Sequence, residues 1–129
     1  MKTAILLMLL STPALACDWT VTKTVDPMTD KTMCRVTSPT AKVTFYKYGT
    51  DRPNVSVASA YKRPGLQIRI DESPAVSMGD NALDRQKALD AVLPQLQGAQ
   101  RIRTSFRDYP DNQAGDAPVC NLPELLASC

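Results

Sequence analysis

The sequence predicts a mainly β protein: an antiparallel β-sandwich-like domain with one helix between its late strands, a short C-terminal helix and a disulfide-stapled core. Three observations carry this expectation. Short runs of alternating apolar and polar residues recur between residues 19 and 71, each closed by Pro, Gly or Asp. One later stretch, ending at Leu96, switches to the helical period. Four cysteines, Cys17, Cys34, Cys120 and Cys129, remain once an N-terminal leader is set aside.

In chain order, Trp19, Val21, Lys23 and Val25 alternate with threonines as a first strand. Asp26-Pro27-Met28-Thr29-Asp30 reads as a turn, because Pro presets φ and Asp side chains accept from nearby backbone amides. Thr32, Cys34, Val36 and Ser38 alternate with Met33, Arg35 and Thr37 as a second strand, stopped by Pro39. The β-branched and aromatic run from Val43 to Tyr48 is a third. Val55, Val57, Ser59 and Tyr61 form a fourth, and Leu66, Ile68 and Ile70, alternating with Gln67, Arg69 and Asp71, a fifth.

Leu89, Val92, Leu93 and Leu96 then fall at i, i+3, i+4 and i+7, one face of a helix. Asp80, Asn81 and Asp84 offer a cap or first-turn acids, and Gly98 a stop. Pro94 conflicts with an unbroken helix, which is expected to end or kink near Leu93. Period two returns with Ile102, Thr104 and Phe106 on one strand face and Arg101, Arg103, Ser105 and Arg107 on the other. Residues 109–118 read as loop by composition. Asn121, with Glu124 three residues on, resembles a capping box opening a short helix through Leu122, Leu125 and Leu126.

Residues 1–16 read as a secretory signal, with residues 17–129 a single secreted β-rich domain. Lys2 is the positive region, Ala4 to Leu10 the apolar region and Ala14-Leu15-Ala16 the cleavage pattern. The apolar run covers only about 10 Å as helix against a bilayer core of about 30 Å, so no membrane span is expected. The short signal has a bacterial look, which places the product in the periplasm or outside the cell.

An even cysteine count in an oxidising compartment points to two disulfides. Three pairings exist. The shortest loops favour Cys17–Cys34 with Cys120–Cys129. The second pair requires the terminal helix to be short or Cys129 to fold back, because ten helical residues separate their ends by about 13 Å and bridged Cα atoms lie within about 7 Å. The sharper alternative makes Cys17 a lipid-carrying first residue. Against it, Ala14 stands where a leucine is preferred, and lipidation would strand one of the three other cysteines.

Composition excludes several functions. Lys and Arg number 15 against 13 acids, and Lys2 leaves with the signal; so near a balance excludes a polybasic nucleic-acid binder. The chain has no histidine, which removes imidazole bases and His-ligated metals. No Cys-x-x-Cys knuckle marks a zinc site, and Asp26 and Asp30 lack the regular oxygen donors of a calcium loop. No cofactor, metal or catalytic residue is expected.

The candidate binding face is Arg101, Arg103 and Arg107, joined by Arg69 if its strand is a neighbour. Guanidinium forks bind carboxylate, phosphate or sulfate bidentately; the plain structural alternative is the solvated face of a half-exposed sheet. Acids neutralising it would come from neighbouring strands, Asp71 among them. Asp71 and Glu72 supply the carboxylate pair that glycoside hydrolysis needs, but adjacent strand residues point to opposite faces. Phe45, Tyr46, Tyr48 and Tyr61 either line a ligand groove or pack within the sheets.

Trp19 followed by Asp26-Pro27-Met28-Thr29-Asp30, the Leu66–Asp71 strand, the helix ending at Leu96, Arg101-Ile102-Arg103 and the closing Asn121–Leu126 segment together resemble small exported domains of the type VI secretion-associated VasI-like family. The chain is more faintly similar to invasion-associated locus B-like proteins. Asn121 and Pro123 stand where the family has glycine. The resemblance implies an exported β-sandwich without a known catalytic site, and no functional residue is carried over from it. The expected function is therefore a non-enzymatic periplasmic accessory module contacting an envelope or secretion-system protein. The alternatives are an inhibitor of an exported hydrolase, presenting a loop such as Asp108 to Pro118, and a small carboxylate-based hydrolase.

Overall fold

The alternating segments pair into two four-stranded antiparallel sheets. The computed structural model describes residues 17–129, so the signal segment read over residues 1–16 lies outside the described residues. The first sheet has the order β1 (Thr20–Val25), β2 (Thr32–Ser38), β3 (Val43–Tyr48) and β4 (Asn54–Ser56). The second contains β5 (Gln67–Ile70), β6 (Val76–Ser77), β7 (Arg101–Asp108) and β8 (Asp111–Pro118), in the order β6-β5-β7-β8. Helix α1 (Ala82–Val92) leads into a 3₁₀ turn over Leu93–Leu96, and α2 (Leu122–Ala127) closes the chain.

The inward residues make one core. Val36, Val43, Phe45 and Val55 of the first sheet and Ile68, Ile70, Ile102 and Phe106 of the second are buried, with Leu89, Val92 and Leu96 added by the helical segment. Asn81 caps α1 by accepting from the Asp84 amide at 2.8 Å. Pro94 stands inside the 3₁₀ turn, so the α-helix stops at Val92, where the sequence expects a break. Trp19 packs on Phe45 (ring centroids 6.1 Å apart) and donates its indole N–H to the Pro118 carbonyl at 2.9 Å, tying the start of the chain to the end of β8.

Four expectations need correction. Residues 109–118 are not loop: β8 pairs with β7 over its whole length around a Tyr109–Pro110 tip. Its Asp, Asn, Gly and Ala residues lack strand propensity, but the ladder and the space facing Ala41 select it. An inhibitor presenting Asp108–Pro118 would therefore present a hairpin, not a loop. The fourth strand ends at Ser56 because the chain crosses to the other sheet, where the Ser59 hydroxyl donates to the Arg107 carbonyl at 2.6 Å. Asn121 makes no side-chain cap on α2, its backbone (φ −96°, ψ 23°) lying outside the extended region a cap needs.

The disulfides are Cys17–Cys120 and Cys34–Cys129, not Cys17–Cys34 and Cys120–Cys129. The β1–β2 register explains this. It sets Lys23 opposite Cys34, so Cys17 lies roughly 20 Å further along the strand. Trp19 instead holds Cys17 beside the residues that follow β8, and α2 lies against β2, bringing Cys129 to Cys34. Both bridges join the N-terminal ribbon to the C-terminal segment, and no cysteine is free. A thioether-linked lipid at Cys17 is incompatible with its bridge to Cys120. No helix among the described residues is long and apolar enough to cross a membrane.

Candidate functional site

The outer face of the second sheet carries the predicted arginines together. Arg69 of β5 stands opposite Arg103 of β7, with Arg101 and Arg107 along the same side of β7. Acids from neighbouring segments meet three of them. Arg101 grips Asp116 of β8 through two hydrogen bonds, one of 2.6 Å from Nε to Oδ1. This guanidinium holds the Asp116 carboxyl below its usual range. Glu72 accepts from Arg69 at 3.2 Å and lies 3.7 Å from Arg103. Arg107 makes no side-chain hydrogen bond or ion pair among the described residues. The face is thus a laced, solvated sheet surface over most of its length, with its uncompensated charge at Arg107.

Asp71 neutralises no arginine with its carboxylate. Its left-handed backbone (φ 47°) turns Oδ1 onto the amides of Gln100 and Arg101 at 3.0 and 2.9 Å, while its carbonyl accepts from Arg103. Asp71 therefore holds a strand start, and Glu72, an exposed side chain, bridges Arg69 and Arg103. No three acids or cysteines converge as metal ligands among the described residues.

The predicted aromatics separate onto different surfaces. Phe45 is core. Tyr48 donates to Asp26 and contacts the Thr29 hydroxyl, with the Lys31 ammonium 5.6 Å from its ring centre. That cluster closes the β1–β2 turn, and the Tyr48 hydroxyl lowers the Asp26 carboxyl. Tyr46 faces outward from β3. Tyr61 meets Tyr109 edge to face at 6.3 Å.

A cleft of about 460 Å³ opens between the two sheets at the β7–β8 hairpin end. Val43, Val57 and Phe106 form its apolar floor, and Lys42, Asp108 and Gln113 stand on its rim. Lys42 adopts a left-handed backbone (φ 58°), uncommon for a residue with a side chain, and its ammonium donates to Gln113 Oε1 at 2.7 Å. Asp18 fixes this lip. Its carboxylate accepts from the Ser38 hydroxyl at 2.6 Å and from the Thr40 amide at 3.0 Å, as well as from the Thr40 hydroxyl. Burial raises the Asp18 carboxyl, but these hydrogen bonds outweigh it and hold the group below its usual range.

The segments lining the cleft run directly into the exposed tyrosines: Ala58 lies three residues before Tyr61, and Asp108 precedes Tyr109. Tyr109 is 77% exposed and Tyr61 41%. Sequence reasoning missed this site because its parts come from both sheets and from a hairpin read as loop. Phe106 was legible as inward-facing and Tyr61 as aromatic, but nothing local joins them. The chain matches no protein-family model, no curated protein and no solved structure.

Proposed function

We propose that this protein is an exported, non-enzymatic accessory module, periplasmic or secreted, that binds an envelope or secretion-system protein through the cleft between its sheets. One observation carries the reading: an apolar-floored, polar-rimmed cleft continuous in sequence with an exposed tyrosine pair. Its volume falls within the roughly 300–1,000 Å³ of ordinary binding pockets, room for a few side chains of a partner. Tyrosines are favoured anchors in interfaces, offering a large apolar area with a polar tip at little entropic cost. Two disulfides suit an oxidising compartment, in agreement with the leader read at residues 1–16. The resemblance to the VasI-like family supports the kind of partner.

Affinity purification from periplasmic extract tests the reading when three forms are compared. Ala58→Trp fills the cleft from an exposed position, whereas Arg107→Ser alters the arginine face at its uncompensated end. An envelope or secretion-system protein recovered with the wild type and with Arg107→Ser, but lost with Ala58→Trp, is the expected result. Recovery that survives Ala58→Trp and fails with Arg107→Ser would transfer the function to the arginine face.

A further inference from the structure

The outer face of the first sheet has a composition unlike that of the second. The ladder register aligns its outward side chains in three rungs: Thr20-Thr37-Thr44-Ser56, Thr22-Arg35-Tyr46-Asn54 and Thr24-Met33-Tyr48. Hydroxyls dominate, with one amide at Asn54; no strand places a carboxylate there, and the Asp26 carboxylate of the β1–β2 turn meets only the Tyr48 end of the face. Arg35 is the one charged side chain of the three rungs. The face is also concave, with a groove of about 370 Å³ lined by Met33, Arg35, Thr37, Thr44, Tyr46 and Ser56. Tyr46 is half-buried along it, and the Thr37 and Thr44 hydroxyls are hydrogen-bonded to each other at 3.0 Å.

Arg35 differs from Arg69, Arg101 and Arg103 in having no acidic partner. Its Nε rests on the Met33 sulfur at 3.3 Å, and its terminal amino groups make no hydrogen bond among the described residues. A guanidinium so placed presents a free fork suited to a carboxylate. Around it lie hydroxyls, each able to donate and to accept, and a phenol ring offering an apolar face. A saccharide matches that set: its hydroxyls pair with Ser and Thr, its C–H face lies against the ring, and an acid group on it meets Arg35. Nucleic acid requires several cations along its backbone, which this face lacks.

We infer that the groove on the outer face of β2, β3 and β4 binds an acidic glycan, with Tyr46 as the stacking platform and Arg35 as the carboxylate partner. The groove adjoins the cleft and shares Thr37 and Thr44 with it, but Met33, Arg35, Tyr46 and Ser56 line the groove alone, and the inference does not depend on the protein-binding reading.

Titration of the ¹⁵N-labelled full domain, disulfides intact, tests it with tetragalacturonate as the acidic probe and chitotetraose as the neutral one. Tetragalacturonate is expected to shift the amide signals of Met33, Arg35, Tyr46 and Ser56, which line the groove and not the cleft, while those of Lys42, Val57 and Gln113 stay in place. Chitotetraose binds about tenfold more weakly or worse, and Arg35→Gln, at an exposed side chain, weakens tetragalacturonate by at least about tenfold, which is about 1.4 kcal/mol. Tyr46→Ala weakens both probes. The inference fails if tetragalacturonate causes no shift at about 10 mM. It fails equally if the shifts centre on Arg69, Arg101, Arg103 and Arg107, or if Arg35→Gln leaves affinity unchanged.

Discussion

Asp18 shows how one side chain shapes the candidate site. It precedes β1, yet its carboxylate gathers Ser38 and Thr40 and so sets the turn that carries Lys42 to the cleft rim. Hydrogen bonds to a charged group are each worth about 1.5–3 kcal/mol against an unpaired state, so Asp18→Ala is expected to cost about 1–3 kcal/mol in denaturant unfolding. The same group sets a pH dependence. Asp18, Asp26 and Asp116 all have carboxyls lowered in the fold. A carboxyl lowered below the unfolded value of about 3.9 adds stability that is fully present above that value and lost as pH falls through the folded pKa. The thermal midpoint should therefore hold level above about pH 5 and drop below about pH 4, and Asp18→Ala should flatten part of that drop.

The elements divide by how local their causes are. The strands of the first sheet, the parity of β7 and the break at Pro94 follow from periodicity and proline chemistry, which act within a few residues. Arg101, Arg103 and Arg107 share a face for that reason, whereas Arg69 joins them only through the β5–β7 ladder. β8 was not legible: its residues favour turns, and only the ladder with β7 and a close fit to the β2–β3 turn make it a strand. Gly115 records that fit. A Cβ there would overlap the Ala41 carbonyl, whose backbone cannot swing aside, and the Thr104 hydroxyl that donates to it. Gly115→Ala is thus expected to lower stability by about 1–3 kcal/mol, as overpacked cores do. In α1, Leu89→Ala should cost about 2–5 kcal/mol in the same assay, whereas Leu83→Ala, at a site 66% exposed, should stay within about 0.5 kcal/mol. The cleft was illegible for a related reason, since Val43 and Phe106 meet only once the sheets face each other.

For the molecule as a whole, two bridges with sequence separations of 103 and 95 residues clamp the first ribbon to the last segment. Each is worth about 2–4 kcal/mol, mostly through restriction of the unfolded chain. Non-reducing proteolysis with mass spectrometry should recover peptides joined Cys17–Cys120 and Cys34–Cys129, and a Cys17–Cys34 peptide would refute the register described above. That clamp lies away from the hairpin end, where the cleft and the exposed tyrosines proposed for protein recognition stand. The most direct test is site-specific photo-crosslinking in living cells, with benzoylphenylalanine placed in turn at Ala58, Tyr109 and Leu83. The first two positions flank the cleft, and Leu83 is an exposed control on α1. A single adduct of one size from Ala58 and Tyr109, absent from Leu83, is the result this account predicts; the same adduct from Leu83, or none from the cleft positions, would contradict it.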